Sequence, residues 1–77
     1  MADEISTLMN KSKNKVVLLR LRNNKTVKGS LQDFDVHMNL TLKDAEDISD
    51  EKPNKIGTVL LRGDNILAIS LPEESKS

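Results

Sequence analysis

Val27-Lys-Gly-Ser-Leu-Gln-Asp-Phe-Asp-Val-His-Met-Asn-Leu-Thr-Leu42 reads as two strands meeting at a short polar corner. In the first run Val27, Gly29 and Leu31 alternate with Lys28, Ser30 and Gln32, the period of two that a strand with one buried face produces. Gly29 falls on an inward position. A glycine inside a strand permits a sharp bend or a close backbone approach, which a sheet needs when it curls into a small barrel. After the corner, Leu40 and Leu42 resume the alternation. The corner itself holds Asp35, His37 and Asn39, the side chains richest in chemistry.

Working outward, Val16 to Arg22 is an apolar run that ends at Asn23-Asn24, residues that tolerate the positive φ of a tight hairpin. The next strand is expected from about Thr26 to Phe34, and its partner from about Asn39 to Ala45. Asp44 to Asn54 is acidic and punctuated by Pro53, the composition of an exposed loop whose charge serves solvation. Ile56 to Arg62 and Ile66 to Leu71 form two further strands around Gly63-Asp64-Asn65, a turn whose glycine is expected to supply an unusual backbone angle. Pro72 ends the last strand. Upstream, Asp3 is a good helix N-cap, Ile5, Leu8 and Met9 share one helical face, and Lys11 and Lys13 suit the negative end of the helix dipole. So short a helix needs packing to persist, so its stripe is expected to cover the open end of a barrel; a nucleic-acid contact is the alternative.

These elements predict a mainly β fold: a short N-terminal helix followed by a strongly bent five-stranded antiparallel sheet forming a small open barrel. The last two strands carry apolar residues on both faces, at Val59-Leu-Leu and Ile66-Leu-Ala-Ile. Left exposed on a monomer, such edges invite aggregation. Pairing the fourth strand of one copy with the fifth of the next covers both, and a head-to-tail contact of constant rotation closes a ring.

The Val27–Leu42 stretch resembles the first motif of the Sm and Sm-like (LSm) proteins, in the archaeal type, through Gly29, Phe34-Asp35, Met38-Asn39 and Leu40/Leu42. Ile56 to Ser70, with its Arg62-Gly-Asp-Asn65 turn, resembles the second. One position departs from the pattern: Asp33 stands where a small residue is usual. The resemblance implies the Sm fold, an SH3-like barrel, with a single domain over residues 1–77. Within it lie a helix at 3–12, a first motif region at 15–45, a variable loop at 46–55, a second motif region at 56–71 and a disordered tail at 72–77. It also implies a homo-oligomeric ring, usually of seven copies, whose pore holds one base per subunit with a preference for uracil.

Carried over by motif position, the RNA-binding groups are His37, Asn39, Arg62, Gly63 and Asp64, with Asp35 and Met38 supporting them. The residue chemistry fits this role. Imidazole and guanidinium are flat and can sandwich a base, and Asn39 offers an amide donor and acceptor to the uracil edge. Asp64 is expected to orient Asn39 or Arg62, the Gly63 and Asp64 backbone to donate to the base, and Asp35 to pin the corner by accepting backbone N–H groups. Phe34 reads as core. The bland alternatives are turn duty for His37 and Asn39, and a surface ion pair for Arg62.

Composition narrows the function further. At 77 residues the chain is one small domain with a marginal core. No cysteine means no disulfide and no thiolate metal site, and a single histidine argues against a protein-only zinc site. Asp33, Asp35 and His37 are a weak divalent-ion set. Twelve basic residues cancel twelve acidic ones, so RNA binding must arise from a local site rather than from a bulk field. No activated nucleophile, phosphate-binding glycine loop or acid/base pair is evident, so an enzyme is not expected, nor is a cofactor. The start of the chain lacks a signal-peptide pattern and no apolar run reaches a membrane span, from which a cytoplasmic protein is expected. The expected function is therefore binding of single-stranded U-rich RNA at a ring pore, in RNA processing or as an RNA chaperone, with RNA-processing proteins as further partners. The alternative from another class is a ring-forming protein-interaction scaffold or a subunit of a mixed Sm-like ring.

Overall fold

The computed structural model describes residues 4–72. Helix α1 (Glu4–Lys11) leads into β1 (Val16–Leu21), β2 (Lys25–Phe34), β3 (Leu40–Asp47), β4 (Asn54–Leu61) and β5 (Ile66–Ser70). The expected helix cap at Asp3 and most of the expected disordered tail lie outside the described residues.

All pairings are antiparallel, and the strand order is β4-β3-β2-β1-β5. The hairpin joining β1 to β2 turns through Asn23 and Asn24 at φ 70° and 59°, the left-handed region their short polar side chains tolerate. The alternation in β2 is as its sequence dictates: Val27, Gly29 and Leu31 are buried. Val27 and Leu31 meet Val17, Leu19 and Leu21 of β1 and Leu40, Leu42 and Ala45 of β3 in one core. Burying each such leucine contributes roughly 1.5–3 kcal/mol.

Gly29 marks the bend. A Cβ there would sit 3.0 Å from the Ala45 Cα and 3.2 Å from the Leu42 Cβ, so β2 and β3 approach too closely for a side chain. The β2–β3 register shifts at the same place, between Lys28 and Ser30. A second bend lies across the sheet, where Asp44 (φ 55°) and Gly57 (φ 80°) flank irregular pairing of β3 with β4. Its effect is to return Ala45 to the core, three residues after Leu42 rather than two.

Two expectations are corrected. β3 runs to Asp47 and β4 begins at Asn54, because Glu46 and Asp47 pair with Lys28 and Val27 on one side and with Lys55 and Asn54 on the other. The acidic segment is thus half strand, and its loop is docked on the sheet: Ile48 N–H donates to the Thr26 carbonyl at 2.8 Å and Thr26 N–H to Ser49 Oγ at 2.8 Å. The helical stripe covers the barrel end only through Met9. Ile5 and Leu8 remain 60% and 51% exposed, forming an apolar groove with Met38, Ile69 and Leu71.

The outermost strands of the sheet are β4 and β5, each paired on one side only. Val59, Leu61, Ile66 and Ile69 pack against the core, whereas Leu60 and Leu67 are 79% and 62% exposed.

Candidate functional site

The pairing of β3 with β4 decides where the chemistry goes. Leu40 lies opposite Leu61, so the corner that precedes Leu40 and the turn that follows Leu61 emerge side by side at one end of the sheet. His37, Met38, Asn39, Arg62, Gly63 and Asp64 accordingly line one open depression. Every residue expected to contact RNA lies in it. Phe34 packs against the core as expected.

Asp35 builds the corner. Its Oδ1 accepts the backbone N–H groups of His37 at 2.9 Å and Asn39 at 3.0 Å, while Oδ2 accepts Asn39 Nδ2 at 3.0 Å. The Asp35 N–H returns to the Asn39 carbonyl at 3.1 Å. These bonds favour the ionised carboxylate. The Asn39 side chain acts first and the Asn39 backbone next; they outweigh desolvation and, with weaker help from the His37 backbone N–H, hold Asp35 below its ordinary value. Met38, at the tip, adopts φ 64°.

Asn39 joins the two halves of the site. Its Nδ2 is committed to Asp35 and its Oδ1 accepts the Gly63 N–H at 2.8 Å. An acceptor-only carboxylate on one side and a donor-only N–H on the other fix which end of the amide is which. Nδ2 keeps a second N–H and Oδ1 a second lone pair.

Of the two partners expected for Asp64, Asn39 or Arg62, it faces Arg62, 3.8 Å from Nε, a pair so exposed that it adds little stability. Asn39 is held by Asp35 instead. Two expectations about Gly63 change. The Gly63 N–H is engaged by Asn39 and is not free for a base. Finally, Gly63 is needed for a close approach rather than for an unusual backbone angle, since a Cβ there would fall onto the His37 carbonyl oxygen.

One neighbour of this depression is not foreseen from the sequence. Arg22, in the β1–β2 hairpin, donates from Nε to the Asp64 carbonyl at 2.9 Å. A guanidinium reaching a main-chain oxygen 42 residues away leaves no pattern in sequence.

A model of the LSM domain matches residues 7–71, nearly the whole described chain. The chain belongs to the LSM family. It is 44% identical over 64 residues to an Sm-like protein of Methanococcoides burtonii, spanning 82% of this chain and 89% of the relative. Among solved structures, the SmAP1 heptamer of P. aerophilum superposes with a TM-score of 0.89 at 38% identity, covering 96% of this chain and 100% of that one. An Sm protein of Pyrococcus abyssii, solved in complex with a uridine heptamer, matches with a TM-score of 0.80 at 35% identity, covering 92% and 100%. The strongly bent five-stranded sheet behind one helix is thus the Sm fold. An LSM chain of this kind is not an enzyme.

Proposed function

We propose that copies of this chain close into a homo-oligomeric ring, seven-membered like those of its heptameric relatives, and bind single-stranded U-rich RNA at the central pore. The reading rests above all on Asn39. Its amide is locked between the two motif loops, yet one donor and one acceptor remain to meet a base edge. Uracil presents a ring N–H beside a carbonyl, which matches that pair. Cytosine presents the two kinds of group in the opposite order, an unprotonated nitrogen beside an amine, so an amide locked in place does not match it when the base is held in the same orientation.

His37 and Arg62 flank Asn39 in the depression and supply the flat faces. Base stacking on an aromatic partner is worth roughly 1–3 kcal/mol per base. One such site is weak. Identical sites spaced around a ring engage consecutive nucleotides of one strand through effective concentration, so assembly is part of binding. Support for assembly comes from the unpaired outer edges of β4 and β5 and the exposed Leu60 and Leu67 upon them. The relatives named above supply the rest: one is a heptamer and one holds a uridine heptamer. Such a ring would serve RNA processing or act as an RNA chaperone.

Titration of labelled oligo(U) against oligo(C) of equal length, at two salt concentrations, tests this function. A clear preference for oligo(U) is expected. Equal affinity for the two would contradict it.

A further inference from the structure

We propose that Arg22 belongs to the RNA site, as the group that pins the Gly63–Asn65 turn and receives the phosphate beside the bound base. This inference rests on the pore-binding function above and adds to it a phosphate partner that the motif residues do not provide.

The electrostatic balance of the site poses the problem. Asp35, Arg62 and Asp64 place two carboxylates against one guanidinium, and the hydrogen bonds on Asp35 keep its carboxylate ionised. A nucleotide entering that field brings a further negative charge. The chain as a whole offers no compensation, because its formal net charge is +0. A base site built from these three groups alone would attract a base and repel its phosphate.

Arg22 supplies the missing charge. Its Nε is 2.9 Å from the carbonyl of Asp64, a residue lining the depression, so its guanidinium stands at the rim. No carboxylate among the described residues lies within ion-pair distance of it, whereas Arg62, the other guanidinium at this depression, faces Asp64. Among the described residues, only its Nε is committed, to the Asp64 carbonyl. A guanidinium has five N–H donors in a planar fork, and the four on its terminal nitrogens suit two phosphate oxygens. The bond to Asp64 pre-orders the side chain, which lowers the entropy cost when a phosphate arrives.

The local chain geometry explains why an arginine can stand there. Arg22 is the first residue of the β1–β2 turn, and β5 pairs with β1 through Leu21 and Ile66. That pairing brings the start of one turn alongside the end of the other. A lysine at this position would carry the charge but could not hold the carbonyl through one nitrogen while presenting a fork through two others.

The test compares the wild-type chain with Arg22→Gln and Arg22→Lys, measuring oligo(U) and oligo(C) affinity across a salt series, with native mass spectrometry reporting the assembly. For single strands, each phosphate neutralised by the protein adds about 0.7 to the steepness of log K against log salt. Arg22→Gln is expected to flatten the slope by at least that amount and to weaken both oligonucleotides several-fold. Arg22→Lys is expected to recover part of the slope. An Arg22→Gln slope equal to that of wild type overturns the inference, and so does loss of the assembly in that variant, which would make Arg22 a structural residue. Equal wild-type affinity for oligo(U) and oligo(C) instead defeats the uracil reading, and the slope comparison still decides whether Arg22 meets a phosphate.

Discussion

Asn39 Oδ1 accepts the Gly63 N–H across 2.8 Å, so a side chain from the first motif and a main-chain group from the second form one unit. The bond turns two loops, 24 residues apart in sequence, into the wall of a single depression. Its consequences reach both recognition and stability.

Replacing Asn39 with Ala removes the amide proposed to read the base edge and leaves the Gly63 N–H without its partner. Titration should show oligo(U) affinity falling to the level of oligo(C), with the ring intact. The loss of two hydrogen bonds at exposed positions should cost the fold about 1–2 kcal/mol, measurable by thermal unfolding.

Gly63→Ala attacks the same unit from the other side. The added Cβ would meet the His37 carbonyl oxygen and lie 3.1 Å from the carbonyl carbons of His37 and Met38, all of them backbone atoms. The loops must separate. We expect oligo(U) binding to be lost and the fold to be destabilised by about 1–3 kcal/mol, the usual cost of overpacking.

Asp35 makes the site sensitive to acid. Its folded-state value lies below the ordinary carboxylate value of about 3.9, so the stability it contributes is present above that value and fades as pH falls through the folded one. Protonation removes acceptors from Asn39 and His37. Selective oligo(U) binding should therefore hold at about pH 5 to 7 and decline below about pH 4, seen by titrating affinity across that range. Asp35→Asn should lower selectivity at every pH in the range, because its amide confronts the amide of Asn39.

Gly29→Ala tests the bend rather than the site. The new methyl would press on the Ala45 Cα at 3.0 Å and the Ala45 Cβ at 3.1 Å. The expected outcome is a loss of about 1–3 kcal/mol in denaturant unfolding, with base preference retained in whatever fraction stays folded.

Much of the fold was legible because alternation states which face is buried. Val27, Gly29 and Leu31 show it in β2, and Asn23-Asn24 announced the hairpin by their tolerance of positive φ. The end of β3 was not legible. Asp44 to Asp47 have the composition of a loop, and the irregular pairing after Leu42 breaks the period by which Ala45 would have been recognised as inward. That His37, Asn39, Arg62, Gly63 and Asp64 share one depression was suggested by resemblance of motifs, not by pattern, since nothing in a sequence says that two turns will face each other. Their roles depended on neighbours that only coordinates supply. Asp35 rather than Asp64 holds Asn39, Gly63 makes room for a carbonyl, and Arg22 arrives from a third loop.

The most direct test of a uracil site repeated around a ring is native mass spectrometry of the chain mixed with equal amounts of oligo(U) and oligo(C) matched in length to the uridine heptamer bound by the Pyrococcus relative. A closed oligomer carrying one oligo(U) strand, with oligo(C) left free, is the predicted result. A monomer at micromolar concentration, or a ring that takes up both strands alike, would contradict it.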